Sequence, residues 1–119
     1  MNIIPHLHKE IQIAEIVSDE ILIETIEEGL DILGTVYYSG YDRMVMYQTN
    51  IISDFFDLKN GMAGEILQKF SNYRVRLVIV GDFEQNNSNS LNDFIRESNA
   101  GKQVNFVATL EEAINRLII

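Results

Sequence analysis

Apolar residues change their spacing several times along this chain, and the changes divide it into elements. Residues 2–7 and 11–17 ("IQIAEIV") read as two strands, with "HKE" between them as a tight turn. Pro5 suits an edge strand, where a missing amide donor is tolerated. The period then shifts. Ile26, Leu30, Leu33 and Tyr37 recur at helical spacing, Thr25 and Glu28 match a capping box, and Gly40 ends the run. "RMVMYQT" (43–49) and "VRLVIVG" (75–81) are apolar enough for central strands covered on both faces. Between them Ala63, Ile66, Leu67 and Phe70 form an i, i+3, i+4, i+7 stripe on a helix of about 61–73, closed by Tyr73 and Arg74. Leu91, Phe94, Ile95 and Ser98 repeat that spacing behind Ser90 as N-cap, with Asp93 three residues on and Gly101 as the stop. "QVNFVA" predicts a last strand, and "TLEEAINRL" a last helix capped by Thr109 and Glu112.

The order β-β-α-β-α-β-α-β-α predicts an α/β fold: a mixed, mainly parallel five-strand sheet with about four helices. The leading hairpin adds the antiparallel strand. With 119 residues and no repeat or long linker, the chain is expected to form a single domain over 1–119. The polar run "QNNSNS" (85–90) reads as a surface loop.

Composition narrows the functions. There is no Cys, which excludes disulfides, thiolate catalysis and thiolate metal sites. A net charge of -9 repels phosphate backbones and anionic lipid, so nucleic acid and membrane are poor partners. No apolar stretch nears the roughly 20 residues needed to span a bilayer, and "MNIIPHLHKE" lacks a positive region ahead of an apolar run. The expectation is a cytoplasmic protein.

Candidate chemistry is sparse and gathers in "FFDLKNGMAGEILQKF" (55–70). Asp54, Asp57 and Asp82 stand where strand carboxyl ends fall, the usual ligand position in an open α/β sheet, and three carboxylates would suit Mg²⁺. The alternative has Asp57 capping the helix, Asp82 ending a strand and Asp54 solvated. Lys59 with the 61–64 amides could cradle a phosphate, although no Walker loop is present. Otherwise Gly61 supplies a positive φ and Gly64 allows close helix–sheet packing. His6 and His8 share one face of a strand, but two ligands make no metal site, and no cofactor motif occurs. Tyr37, Tyr38, Tyr41 and Tyr47 form either a partner surface or a core margin. Asp19, Glu20, Glu24, Glu27 and Glu28 read as a solvated acidic face.

The element order and the placement of "FFDLKNGMAGEILQKF", "RLVIVGD" and "FVATLEEAINRL" resemble anti-sigma-factor antagonist (STAS, SpoIIAA-like) domains. In that family a D-S-S-G-L-G loop opens the second helix. Asp57 matches its acid and Gly61 its glycine. The phosphoacceptor serine has no counterpart, since Leu58 and Lys59 follow Asp57 and Asn60 is an extra residue before Gly61. "DFFDLKNGMAGEILQKFSNYRVRLVIVGDF" is similar to an uncharacterised bacterial family, domain of unknown function 4180.

The resemblance implies a non-catalytic regulatory module that binds a protein partner through the 54–65 loop and helix start, without a phospho-switch. Asp54, Asp57, Lys59, Asn60, Gly61, Gly64 and Asp82 are the expected binding residues. The other reading is a small anionic-ligand or Mg-dependent phosphate site, or weak enzyme, at the strand ends. A homodimer through the edge hairpin, with Ile3, Ile4 and Ile11, is a third.

Overall fold

The computed structural model describes residues 1–119. Strands β1 (Asn2–His8) and β2 (Ile11–Val17) form a hairpin. Then follow α1 (Ile26–Tyr38), β3 (Arg43–Tyr47), α2 (Met62–Asn72), β4 (Arg76–Val80), α3 (Asn89–Asn99), β5 (Val104–Val107) and α4 (Leu110–Leu117). The five strands lie side by side in chain order. The sheet is mixed rather than mainly parallel: β1–β2 is antiparallel and forms the longest ladder, from Asn2 opposite Val17 to His8 opposite Ile11. The β2–β3, β3–β4 and β4–β5 pairs are parallel, and β2–β3 meets over only Ala14–Met44 and Glu15–Val45.

Sequential order has a consequence for layers. Right-handed crossovers that step in one direction put their helices on one face. Ile32, Leu33 and Val36 of α1 and Ala63, Ile66, Leu67 and Phe70 of α2 accordingly share one core with Ala14, Ile16, Met44, Met46, Leu77 and Ile79; Phe94 and Ile95 of α3 pack against it. The opposite face carries a smaller core, in which Ala113, Ile114 and Leu117 of α4 meet Ile13, Val45, Val78, Val80 and Val107. Burial on both faces explains the continuous apolar runs of β3 and β4. No helix is long and apolar enough to cross a membrane.

Capping follows the residues closely. Thr25 Oγ1 accepts from the Glu28 amide at 3.1 Å, and Thr109 Oγ1 from the Glu112 amide at 3.1 Å. Each glutamate reaches back to the amide before the cap, that of Glu24 at 2.9 Å and of Ala108 at 3.3 Å. The expected Ser90 cap is displaced. Asn86 folds the preceding loop, accepting from the Ser88 amide and donating to Phe83 O, so α3 starts two residues sooner with Ser88 Oγ accepting from the Leu91 amide. Asp93 pairs instead with Arg96 at 3.0 Å. The strand expected over 43–49 stops at Tyr47, where a tight turn over Gln48–Asn50 begins.

The α1 stripe is also rotated. The buried residues are Gly29, Ile32, Leu33 and Val36, while Leu30 is half-buried and Tyr37 exposed. Gly29 is the reason: a Cβ there would lie 2.7 Å from Ile66 Cδ1, so its absence lets α2 seat against this side of α1. The glycine expectation at Gly64 fails, because a Cβ there would meet nothing within 4 Å.

Two arginines anchor α4. Arg43 and Arg76 are register partners at the start of β3 and β4. Arg43 donates to Leu117 O, and Arg76 to Arg116 O at 2.9 Å and to Lys102 O at 2.8 Å. Cations on the last carbonyls complement the helix dipole. Burial, and then the neighbouring Arg43 charge, lower the Arg76 pKa against the opposing effect of Asp42.

Helices α1 and α2 both end in a turn where the residue beyond the cap is left-handed. In α1 it is Gly40 (φ 92°), with the Tyr41 amide on Val36 O. In α2 it is Arg74 (φ 57°), with the Val75 amide on Phe70 O. An L-residue is strained there. Arg74→Gly should therefore raise unfolding stability by about 0.5–1 kcal/mol in urea titration, and a loss of stability would contradict that account of the turn. Arg76→Met, which removes the α4 anchor, should cost about 2–3 kcal/mol in the same titration.

Candidate functional site

The chain leaves β3 through three single turns of 3₁₀ helix, Gln48–Asn50, Ser53–Phe56 and Leu58–Asn60, before α2 begins. Each turn is held from within. Asn50 is 4% exposed and donates to Ser18 O at 2.9 Å and Glu20 O at 2.7 Å. Main-chain bonds from Leu22 and Ile23 to Asn50 O, and from Ile52 to Ile23 O, stitch the two segments together. Phe55, 2% exposed, plugs the second turn into the larger core and stacks edge-on to Phe56.

Asn60 secures the third turn. Its Nδ2 donates to Asp54 O at 2.7 Å and its Oδ1 accepts from the Met62 amide at 2.9 Å. The residue that looked like an insertion is thus the one that satisfies the start of α2. Asp57, the expected alternative cap, makes no side-chain cap bond. Gly61 is the N-cap residue at φ 80°, a conformation that a side chain would strain. The amides of Ala63 and Gly64 have no acceptor within the chain.

Asp54, Asp57, Lys59, Asn60, Gly61 and Gly64 are all exposed along this one segment, and none of the charged three joins an ion pair. Ser53, Phe56, Asp57, Leu58 and Lys59 share a concavity of about 620 Å³ with Ser88 and Ser90 at the start of α3. Asp82 lies elsewhere. It follows β4 directly and lines a second hollow with Glu84, Phe106 and Glu112. The three aspartates therefore do not converge, and no three His, Asp or Glu side chains gather as a metal-holding group. The physical reason is the triple turn, which carries Asp57 toward the start of α3 while Asp82 stays near the strand end. Gln48 fixes that end: its Oε1 accepts from the Asp82 amide at 3.0 Å and fills the space beside Gly81.

A polar group that sequence reasoning passed over lies on the α4 side of the sheet. Glu15 is only 7% exposed. Its Oε2 accepts from Tyr47 Oη at 2.6 Å, and its Oε1 meets His6 Nε2 at 2.8 Å. A buried carboxylate needs such donors. His6 is thus tied to Glu15, while His8 is exposed. The signal was present: Ile11, Ile13, Glu15 and Val17 alternate onto one face, so the acid interrupts an apolar row. Of the tyrosines, Tyr41 packs on the larger core, Tyr47 on the smaller, and Tyr37 and Tyr38 are exposed.

Fold and site together define an α/β chain with a five-strand mixed sheet, four α-helices and a polar loop at the carboxyl end of β3. The family profile of a domain of unknown function (DUF4180) matches residues 8–117, and the chain belongs to that family. No curated protein and no solved structure matches it.

Burial, then the hydrogen bond to Glu15 and its charge, push the Tyr47 pKa up from 10.0 to about 12. A raised folded-state value adds stability that is fully present below the unfolded value and is lost as pH climbs through the folded one. Wild-type stability should therefore fall between pH 10 and 12, and Tyr47→Phe should remove that part of the slope when the two urea midpoints are compared across this range.

Proposed function

We propose that this chain is a non-catalytic regulatory protein-interaction module of STAS-like build, acting in the bacterial cytoplasm, that meets its partner through the 54–65 segment. The observation that carries the reading is unpaired charge on a rigid frame. Phe55 holds the backbone from the core and Asn60 from the surface, while Asp54, Asp57 and Lys59 project without an intrachain ion partner. A surface already ordered loses little conformational entropy when a partner docks. The absent phosphoacceptor serine makes recognition constitutive, set by charge and shape at Asp57 and Lys59.

Asp57→Ala combined with Lys59→Glu should leave the melting temperature within about 2 °C, as expected of surface changes, and abolish capture of the partner by the purified chain. Unchanged capture would remove this segment from the interface. Asn60 is a poorer test residue, since Asn60→Ala should itself cost about 1 kcal/mol through the two lost bonds.

A second reading is favoured by the concavity that Lys59 shares with Ser88 and Ser90 at the α3 start: a small anionic or phosphate-bearing ligand, with or without Mg²⁺. A ligand at 100 times its Kd should add about 2.7 kcal/mol in a thermal-shift panel of phosphates, nucleotides and divalent ions. A flat panel would count against it. A homodimer joined at β1 is a separate proposal, motivated by exposed Ile4 and Leu7 on that edge and decided by the mass in solution.

A further inference from the structure

Helix α1 carries apolar and aromatic residues on two sides, and its own fold uses only one of them. Gly29, Ile32, Leu33 and Val36 are buried. On the outer side Leu30 and Gly34, with the edge of the buried Leu33 beneath them, line a groove of about 220 Å³ with Tyr38 of the same helix, Lys69 of α2 and Tyr73 at the α2 C-cap. Three tyrosines crowd this end of the helix pair. Tyr38 is 83% exposed and stands edge-on to Tyr37 at 5.3 Å, which in turn meets Tyr73 at 5.1 Å. Exposed tyrosines around an apolar floor are the composition of an interaction surface.

Gly34 is the unexplained residue. Glycine is, after proline, the least favourable residue inside a helix. At Gly29 the need is visible, because Ile66 occupies the space a Cβ would take. At Gly34 a Cβ would meet nothing within 4 Å, and the backbone angle is ordinary. Nothing inside the chain requires a glycine there. An approaching backbone or side chain from outside would.

Charge selects the visitor. α1 holds Glu27, Glu28 and Asp31 and not one cation. Glu27 precedes Leu30 by three residues and Gly34 by seven, and Asp31 precedes Gly34 by three and Tyr38 by seven, which puts both acids along the same flank. The last turns of α2, α3 and α4 contain Lys69, Arg96 and Arg116, whereas that of α1 contains no base. Its negative dipole end is left uncompensated beside the tyrosines. Lys69 is the one positive charge in the groove, and it sits on the α2 wall. A second copy is a poor occupant, since the chain carries a net charge of -9.

We propose that the groove between α1 and α2, floored by Gly34 and rimmed by Tyr37, Tyr38 and Tyr73, docks a basic amphipathic helical segment of another protein. Apolar side chains of that segment would enter beside Leu30 and Gly34. Its lysines or arginines would meet Glu27, Asp31 and the carbonyl end of α1. The site is separate from the 54–65 segment and does not rest on it.

The test titrates the full chain, at about 0.15 M salt, with a designed Leu/Lys amphipathic peptide of about 14 residues and its Leu/Glu counterpart, following amide shifts by NMR. The Leu/Lys peptide should bind at least roughly tenfold tighter than the Leu/Glu one and shift residues 27–38 and 69–74. Gly34→Leu should raise the melting temperature, because a better helix former fills open space, yet weaken the peptide roughly tenfold; Tyr38→Ala should weaken it similarly. Asp57→Ala with Lys59→Glu should leave peptide binding unchanged, which keeps this result separable from the loop reading. Peptide affinity indifferent to Gly34→Leu would overturn the proposal. So would shifts centred on 54–65 or on the sheet, or a dimer in sedimentation that Gly34→Leu dissociates.

Discussion

Consecutive parallel crossovers that all step the same way along one sheet commit their helices to one face. Here that geometry puts α1, α2 and α3 together over the larger core and leaves a single eight-residue helix for the other side. So short a helix is marginal alone in water. It is held by its apolar stripe and by the Arg43 and Arg76 guanidinium groups on its final carbonyls. The two arginines lie side by side in register, so like charges are accepted in exchange for several charge-assisted bonds.

Unequal coverage shapes the rest of the molecule. α4 packs on β3, β4 and β5 and leaves the hairpin side of that face less protected. There the sheet accommodates a buried carboxylate, Glu15, because β1 and β3 each lend it a donor. At the other edge, Asn99 exchanges hydrogen bonds with the Phe106 main chain and occupies part of the free side of β5. Such a contact restrains an edge from pairing with another chain.

On the crowded face the helices meet through glycine and large apolar side chains, and the layer is closely packed. The 48–61 connection is tied to that layer by Phe55 and held in shape by the hydrogen bonds of Asn50 and Asn60. Its charged side chains, Asp54, Asp57 and Lys59, lie exposed on that frame without an ion partner in the chain. Outside the crowded face, α1 retains a second apolar flank, and the two observations describe different surfaces of one frame.

Much of this was decided by local pattern. Strand and helix order, the α2 and α3 stripes and the Thr25 and Thr109 caps depend on residues within a few positions of each other, and such interactions are written along the chain. The polar loop before α2 was marked by its glycine and its acids for the same reason. Tertiary contact alone decided the remainder. Which side of α1 is buried turned on Ile66, a residue far along the chain that fits only where Gly29 has no side chain. Whether Asp54, Asp57 and Asp82 met turned on how three short turns bent between two strands. Glu15 became a bonded interior acid only once the Tyr47 hydroxyl, distant in the chain, arrived beside it as a donor. Spacing along a sequence specifies faces; it takes the packed sheet to specify what each face meets.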